Sequence, residues 1–111
     1  MARILVVEDD PIQLDMRRQI LEHAGYEVVT AQTASEALDR YENCPVVVMD
    51  LRIPGPEDGR RLIQAVAGAA RIIVLSGGVV DSALPVDEVL TKPCTSRRLI
   101  ESIVRWISES K

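Results

Sequence analysis

The sequence predicts an α/β domain built on a doubly wound parallel sheet of five strands. Short apolar runs recur along the chain and alternate with segments of helical spacing, the pattern of strands joined by helical crossovers. Apolar residues make up 47% of the 111 residues while Phe is absent and aromatic content is only 3%. The core is therefore built from Val, Ile, Leu and Ala, which suits strands covered on both faces. The length fits one domain with a continuous core, and no linker, repeat or low-complexity segment divides residues 1–111.

The first strand is read at Ile4 to Val7. A helix follows, with Ile12, Met16, Ile20 and Ala24 at helical spacing and Gly25 as its C-terminal stop. The second strand is the weaker run Tyr26 to Val29. Thr33 and Glu36 have capping-box spacing and open a helix carrying Ala34, Ala37, Leu38 and Tyr41. Val46 to Met49 is the third strand. Leu62, Ile63 and Val66 mark the next helix, and Ile72 to Leu75 the fourth strand. Val86 to Leu90 is the fifth, and the last helix carries Leu99, Ile100, Ile103, Val104 and Ile107, with Thr95 or Ser96 as its cap. Only fifteen residues separate Ser76 from Lys92, so Gly77 to Pro85 has room for a turn or two of helix at most, and its glycines and proline weaken even that. The order βαβαβαβ, a short connection, then βα implies right-handed crossovers with helices on both faces.

Thirteen basic against seventeen acidic residues give a formal charge of −4 with no Lys/Arg concentration, which argues against direct nucleic-acid binding. Apolar runs of four or five residues and an N-terminus without a signal-peptide pattern argue against membrane insertion and secretion, so the expected location is cytoplasmic. Cys44 and Cys94 form neither a CxxC pair nor a cluster with His23, and are read as reduced packing residues.

Reactive side chains fall at the carboxyl ends of the apolar runs: Glu8 and Asp9 after the first, Asp50 after the third, Ser76 after the fourth and Lys92 after the fifth. In an open α/β sheet ligands bind at that edge. Any one of these groups alone reads as a solvated loop residue; together they supply every group that phosphoryl transfer needs. Three close carboxylates raise one another's pKa unless a cation intervenes. Mg²⁺, which takes a few carboxylates, retained water and phosphate oxygens, fits Glu8, Asp9 and Asp50. Lys92 and Ser76 then supply positive charge and a hydrogen bond to phosphoryl oxygens.

With these residues, the segments ILVVEDD, VVVMDLRIPG, IIVLSGG and LTKP resemble the signature segments of the response-regulator receiver family over essentially the whole chain. The resemblance implies a flavodoxin- or receiver-like strand order 2-1-3-4-5 with a shortened fourth helix. It makes Asp50 the phosphoacceptor and Glu8 and Asp9 the acidic metal pair, with Asp10 just outside the site. The backbone carbonyl of Arg52 becomes a further metal ligand, Ser76 the switch hydroxyl, Lys92 the phosphoryl partner and Lys92-Pro93 a cis peptide. The implied partner is a histidine kinase or histidine phosphotransfer protein that donates from phosphohistidine. The domain signals; its only catalysis is its own phosphorylation and slow autodephosphorylation.

Three departures from the family pattern bear on output. Val89 stands where the family has Tyr or Phe, so an aromatic rotamer switch is unavailable. The Gly77 to Pro85 connection replaces most of a helix, as in receivers of hybrid histidine kinases, and is expected to become ordered on phosphorylation. Gly55 and Pro56 lengthen the loop after Asp50, while Arg52 and Gly78 occupy positions that influence phosphoryl lifetime. Gly77 leaves the phosphoryl group room to enter.

The competing functions are a phosphorylation-independent pseudo-receiver, a phosphate-sink receiver, and a flavodoxin-like or phosphohydrolase domain. The last lacks a glycine-rich phosphate loop after the first strand, where Glu8, Asp9 and Asp10 would repel a phosphate. No output domain is expected after the last helix, so signalling would pass through a partner-binding surface to a downstream protein.

Overall fold

The computed structural model describes residues 2–51 and 56–109. Five strands, β1 (Arg3–Val7), β2 (Glu27–Ala31), β3 (Val46–Asp50), β4 (Arg71–Ser76) and β5 (Glu88–Thr91), form one sheet in the order β2-β1-β3-β4-β5. Every pairing is parallel. Four helices, α1 (Pro11–His23), α2 (Ala34–Arg40), α3 (Pro56–Val66) and α4 (Ser96–Ser108), supply the two outer layers.

Alternate side chains of a strand point to opposite faces, and the core divides accordingly. Ile4, Val6, Val46, Val48, Ile73 and Leu75 pack under Leu14 and Leu21 of α1 and Leu99 and Ile103 of α4. Leu5, Val7, Val47, Met49, Ile72 and Val74 pack under Ala34 and Ala37 of α2 and Leu62, Ile63 and Val66 of α3. All five side chains of β3 are buried. Strands covered in this way read as unbroken apolar runs.

Helix ends follow local chemistry. Asp10 caps α1 by accepting from the Ile12 N–H at 2.9 Å, with Pro11 in the first turn, where a missing N–H costs nothing. Gly25 takes φ 99° beyond the end of α1, a left-handed conformation suited to glycine. The Thr33 hydroxyl accepts from Glu36 N–H at 3.1 Å, and the Glu36 carboxylate reaches back to Gln32 N–H at 2.7 Å, one residue before the cap. Thr95, rather than Ser96, caps α4.

The predicted apolar stripe of α1 is not its buried face. Ile12 is 71% exposed and Met16 57% exposed, whereas Leu14 and Leu21 are buried. The period was right and the phase wrong, because α1 carries apolar residues on two faces and only one meets the sheet.

Residues 77–87 contain no helix. The connection runs over the α2 and α3 face of the sheet, with Leu84 sunk among the residues of that layer. It is tied down where Val86 N–H donates to Leu84 O at 2.8 Å and Asp87 N–H to Ile72 O at 2.9 Å. The Asp87 carboxylate also accepts from Ile72 N–H at 2.7 Å and pairs with Arg71 at 2.9 Å. Arg71 lies over the Trp106 ring, 5.2 Å from its centroid. Trp106 in turn donates to Glu88 at 2.8 Å, and Ser102 donates to the same carboxylate oxygen at 2.6 Å, so β5 and α4 are pinned together. Both cysteines are free, Cys44 buried and Cys94 half-buried. Among the described residues no helix is long and apolar enough to cross a membrane.

Candidate functional site

Parallel pairing brings the carboxyl ends of β1, β3, β4 and β5 to one edge. Asp50, the last residue of β3, stands in register with Leu75, and Ser76 with Thr91. Lys92 N–H donates to the Ser76 carbonyl at 2.8 Å, which carries the pairing one residue beyond β5. From there the Lys92 ammonium reaches across β4 and forms an ion pair with Oδ2 of Asp50. The Lys92-Pro93 peptide is cis, as expected.

Asp50 is only 7% exposed and Glu8 only 4%. Glu8 N–H is bound to Ala31 O at 3.0 Å, which fixes the turn out of β1. One oxygen of its carboxylate, Oε2, accepts from Asp9 N–H at 3.1 Å. The other, Oε1, faces Nη1 of Arg17 at 3.3 Å. Burial pushes the Glu8 carboxyl above its ordinary range, the Arg17 charge opposes that, and the negative charges of Asp50 and Asp9 add to the rise. Asp9 itself is exposed at the rim, and Asp10 is engaged as the α1 cap, outside the cluster.

Five of the predicted site residues thus meet at one edge: Glu8, Asp50 and Lys92 in mutual electrostatic contact, with Asp9 and Ser76 flanking them. Arg52 and Gly55 lie outside the described residues. Among the described residues no three His, Cys, Asp or Glu side chains stand together as a ready metal cage. The Ser76 hydroxyl donates to Gly78 O and accepts from Gly78 N–H, each at 3.1 Å. A Cβ on Gly77 would meet no atom within 4 Å, so the space beside Ser76 is open. Val89 is partly exposed on β5.

Two residues of this neighbourhood escaped the sequence reading. Gly59 in α3 packs so closely on the Leu51 carbonyl, one residue past Asp50, that a Cβ there would overlap it. A glycine in the middle of a helix was the available signal. Arg17 lies on the buried side of α1 between Leu14 and Leu21, three residues after one and four before the other. A charge inside an apolar stripe was the signal there. Beside the site, Gln13, Met16, Arg17 and Ile20 of α1 face Lys92, Pro93, Cys94, Ser96 and Leu99 across a cleft of about 600 Å³.

The arrangement sets an ammonium upon a nearly buried carboxylate, with a second buried carboxylate beside it and a hydroxyl at the next strand end. The family profile of the response regulator receiver domain matches residues 4–104. Sensor protein GacS of Pseudomonas syringae pv. syringae is 28% identical over 122 residues, which cover 94% of this chain and 13% of that protein. Transcriptional regulatory protein AruR of Pseudomonas aeruginosa is 31% identical over 113 residues, covering 88% of this chain and 46% of that protein. The chain therefore spans a small part of the sensor kinases it matches and about half of such regulators. Among solved structures, a CheY-like response regulator receiver domain protein from Methanospirillum hungatei superposes with TM-score 0.87 at 31% identity, covering 98% of this chain and 95% of that one. A receiver domain protein from Clostridium thermocellum gives 0.85 at 29% identity, covering 98% and 96%.

Proposed function

Because the chain belongs to the response regulator receiver domain family, we propose that it is one receiver domain of a two-component phosphorelay that accepts a phosphoryl group on Asp50. The observation that carries this reading is the Lys92 ion pair on a nearly buried Asp50 at the end of the central strand, with Glu8 beside it.

The donor set suits Mg²⁺. It is all oxygen, and two of the acids, Glu8 and Asp50, are buried and raise each other's energy when ionised, so a hard cation with retained water relieves a repulsion the fold has built in. Glu8, Asp9, Asp50 and the Arg52 carbonyl would hold it. When bound, it supplies positive charge to the phosphoryl oxygens.

The chain's own residues do the rest. An Asp50 carboxylate oxygen attacks the phosphorus of a phosphohistidine; the O–P bond forms, the P–N bond breaks, and the imidazole leaves with the bonding pair. Lys92, already at Asp50, offsets charge on the transferred group, and the contribution is mainly positioning and electrostatics. Ser76 offers a hydrogen bond to a phosphoryl oxygen, and the open space at Gly77 admits the group. Water later hydrolyses the acyl phosphate. The domain signals and turns over no small molecule.

The partner in this reading is a histidine kinase or histidine phosphotransfer protein in the cytoplasm, an assignment supported by the similarity to sensor kinases. Incubation with Mg²⁺ and acetyl phosphate, read by intact mass, tests it: a one-phosphoryl adduct is expected in the wild type and none in Asp50→Asn. An unmodified wild-type chain would favour the pseudo-receiver. Retained acid-labile phosphate in Asp50→Asn would move the acceptor elsewhere.

A further inference from the structure

Arg17 sits where an apolar residue would serve the fold better. Its side chain is 13% exposed, between the buried Leu14 and Leu21 of α1, and it faces a Glu8 side chain that is 5% exposed. Nη1 of Arg17 is buried and makes no hydrogen bond among the described residues, although it stands 3.3 Å from Glu8 Oε1. Nη2 donates to Gln13 at a long 3.4 Å. A buried ion pair without good hydrogen bonds is poor structural glue, and an apolar side chain of similar volume commonly equals or exceeds it. What the pair does provide is a fixed positive charge on one acid of the proposed metal site.

We propose that Arg17 is a positioning residue that weakens divalent-metal binding: its guanidinium acts on Glu8 as an internal counter-cation, so an incoming metal ion must share that carboxylate. This rests on the reading of Glu8, Asp9 and Asp50 as metal ligands. Without metal, Arg17 compensates a buried carboxylate that would otherwise stand beside Asp50 with Lys92 as the other cation acting on it among the described residues. With metal bound, the ion supplies that compensation and the guanidinium becomes a like charge close by. Removing Arg17 therefore costs more in the metal-free protein than in the loaded one, and that difference is a gain in metal affinity. The same logic places Lys92 on Asp50 as a second internal cation, so two of the acids hold a protein charge until a divalent ion arrives.

Isothermal titration of the full chain with Mg²⁺ alone, at fixed ionic strength, tests the inference. Arg17→Met is expected to bind Mg²⁺ roughly fivefold or more tightly than wild type, and Arg17→Lys to return toward wild-type affinity because it restores the charge. Thermal unfolding provides an independent reading, with Mg²⁺ raising the Tm of Arg17→Met more than that of the wild type. If Arg17→Met does not fold, Arg17→Gln removes the charge while keeping a polar group. A purely structural arginine would not act through Glu8, so the deciding measurement is a cycle with Glu8→Gln: Arg17→Met should change Mg²⁺ affinity little in that background. Equal or weaker binding by Arg17→Met, or the same tightening with Glu8→Gln, overturns the proposal. Asp9→Ala separates this from failure of the site reading: if it abolishes binding while Arg17→Met changes nothing, the site stands and the role of Arg17 falls. A wild type that binds no Mg²⁺ removes both.

Discussion

The Ser76 hydroxyl and the Gly78 backbone hold each other in a closed pair of hydrogen bonds, Oγ donating to Gly78 O and accepting from Gly78 N–H, both at 3.1 Å. The hydroxyl that would bind a phosphoryl group is thus already the clasp of the segment that follows it. That segment has further anchors in Leu84, in Asp81, which accepts from Ala83 N–H at 2.9 Å, and in the Arg60–Asp81 pair at 3.4 Å. The expectation that the connection becomes ordered on phosphorylation changes accordingly. Drawing Ser76 to a phosphoryl mimic should release Gly78 and raise amide exchange at residues 77–80, while Leu84 and Val86 keep their protection. Exchange with and without beryllofluoride measures this; unchanged Gly78 exchange would mean that the clasp stays shut and the signal leaves by another route.

Gly59→Ala should destabilise the protein by about 1–3 kcal/mol, the usual range for forcing a group into a filled space, because the new methyl overlaps the Leu51 carbonyl. Helix propensity alone predicts the opposite sign, about 1 kcal/mol of gain. Urea midpoints decide between close approach and propensity. Since Leu51 follows Asp50, the variant should also accept phosphate from acetyl phosphate more slowly.

The Glu88 carboxyl is pushed up by burial, but the Ser102 and Trp106 hydrogen bonds and the Arg105 and Arg98 charges outweigh that and hold it below its ordinary 4.5. An acid whose folded pKa is depressed contributes stability above its unfolded value and loses it as pH falls through the folded one. Glu88→Gln should therefore be less stable than wild type at neutral pH, by on the order of 1–2 kcal/mol. The gap should close as pH drops below 4.5. Denaturation of both proteins across that range, followed by circular dichroism, tests it; a constant gap would assign the cost to packing.

Met16, exposed on α1, lines the cleft that reaches Lys92 and Pro93, so a protein phosphodonor approaching Asp50 is expected to meet it. Met16→Glu should slow transfer from a histidine phosphotransfer protein roughly tenfold, as expected for a central apolar contact. Transfer from acetyl phosphate, which needs no docking, should be unaffected. Equal slowing with both donors would point to damage at the site.

The strands were legible because burial on both faces leaves apolar runs such as Val46 to Met49 that no other element explains. The meeting of Asp50, Lys92, Glu8, Asp9 and Ser76 at one edge was legible because each ends such a run, and parallel pairing brings those ends together. The face of α1 was not, since Ile12 and Met16, four apart, fit a helical period as well as Leu14 and Leu21, seven apart, and periodicity gives a period without a phase. Nor was the clasp at Ser76, whose partner is main chain. The roles of Arg17 and Gly59 depend on what lies opposite them, Glu8 in one case and a backbone carbonyl in the other, and neither neighbour is near in sequence.

Trp106 is the sole tryptophan of the chain, and it carries a guanidinium over its ring and a carboxylate on its N–H. Glu88, which holds it, pairs with Ile73 at the amino end of β5, away from the edge where Asp50 and Ser76 lie. Its emission should therefore be blind to events at Asp50 unless they travel down β5 to the joint with α4. The protein thus contains its own gauge of transmission: a fluorescence change on adding beryllofluoride would measure coupling between the two ends of the sheet, with no label attached.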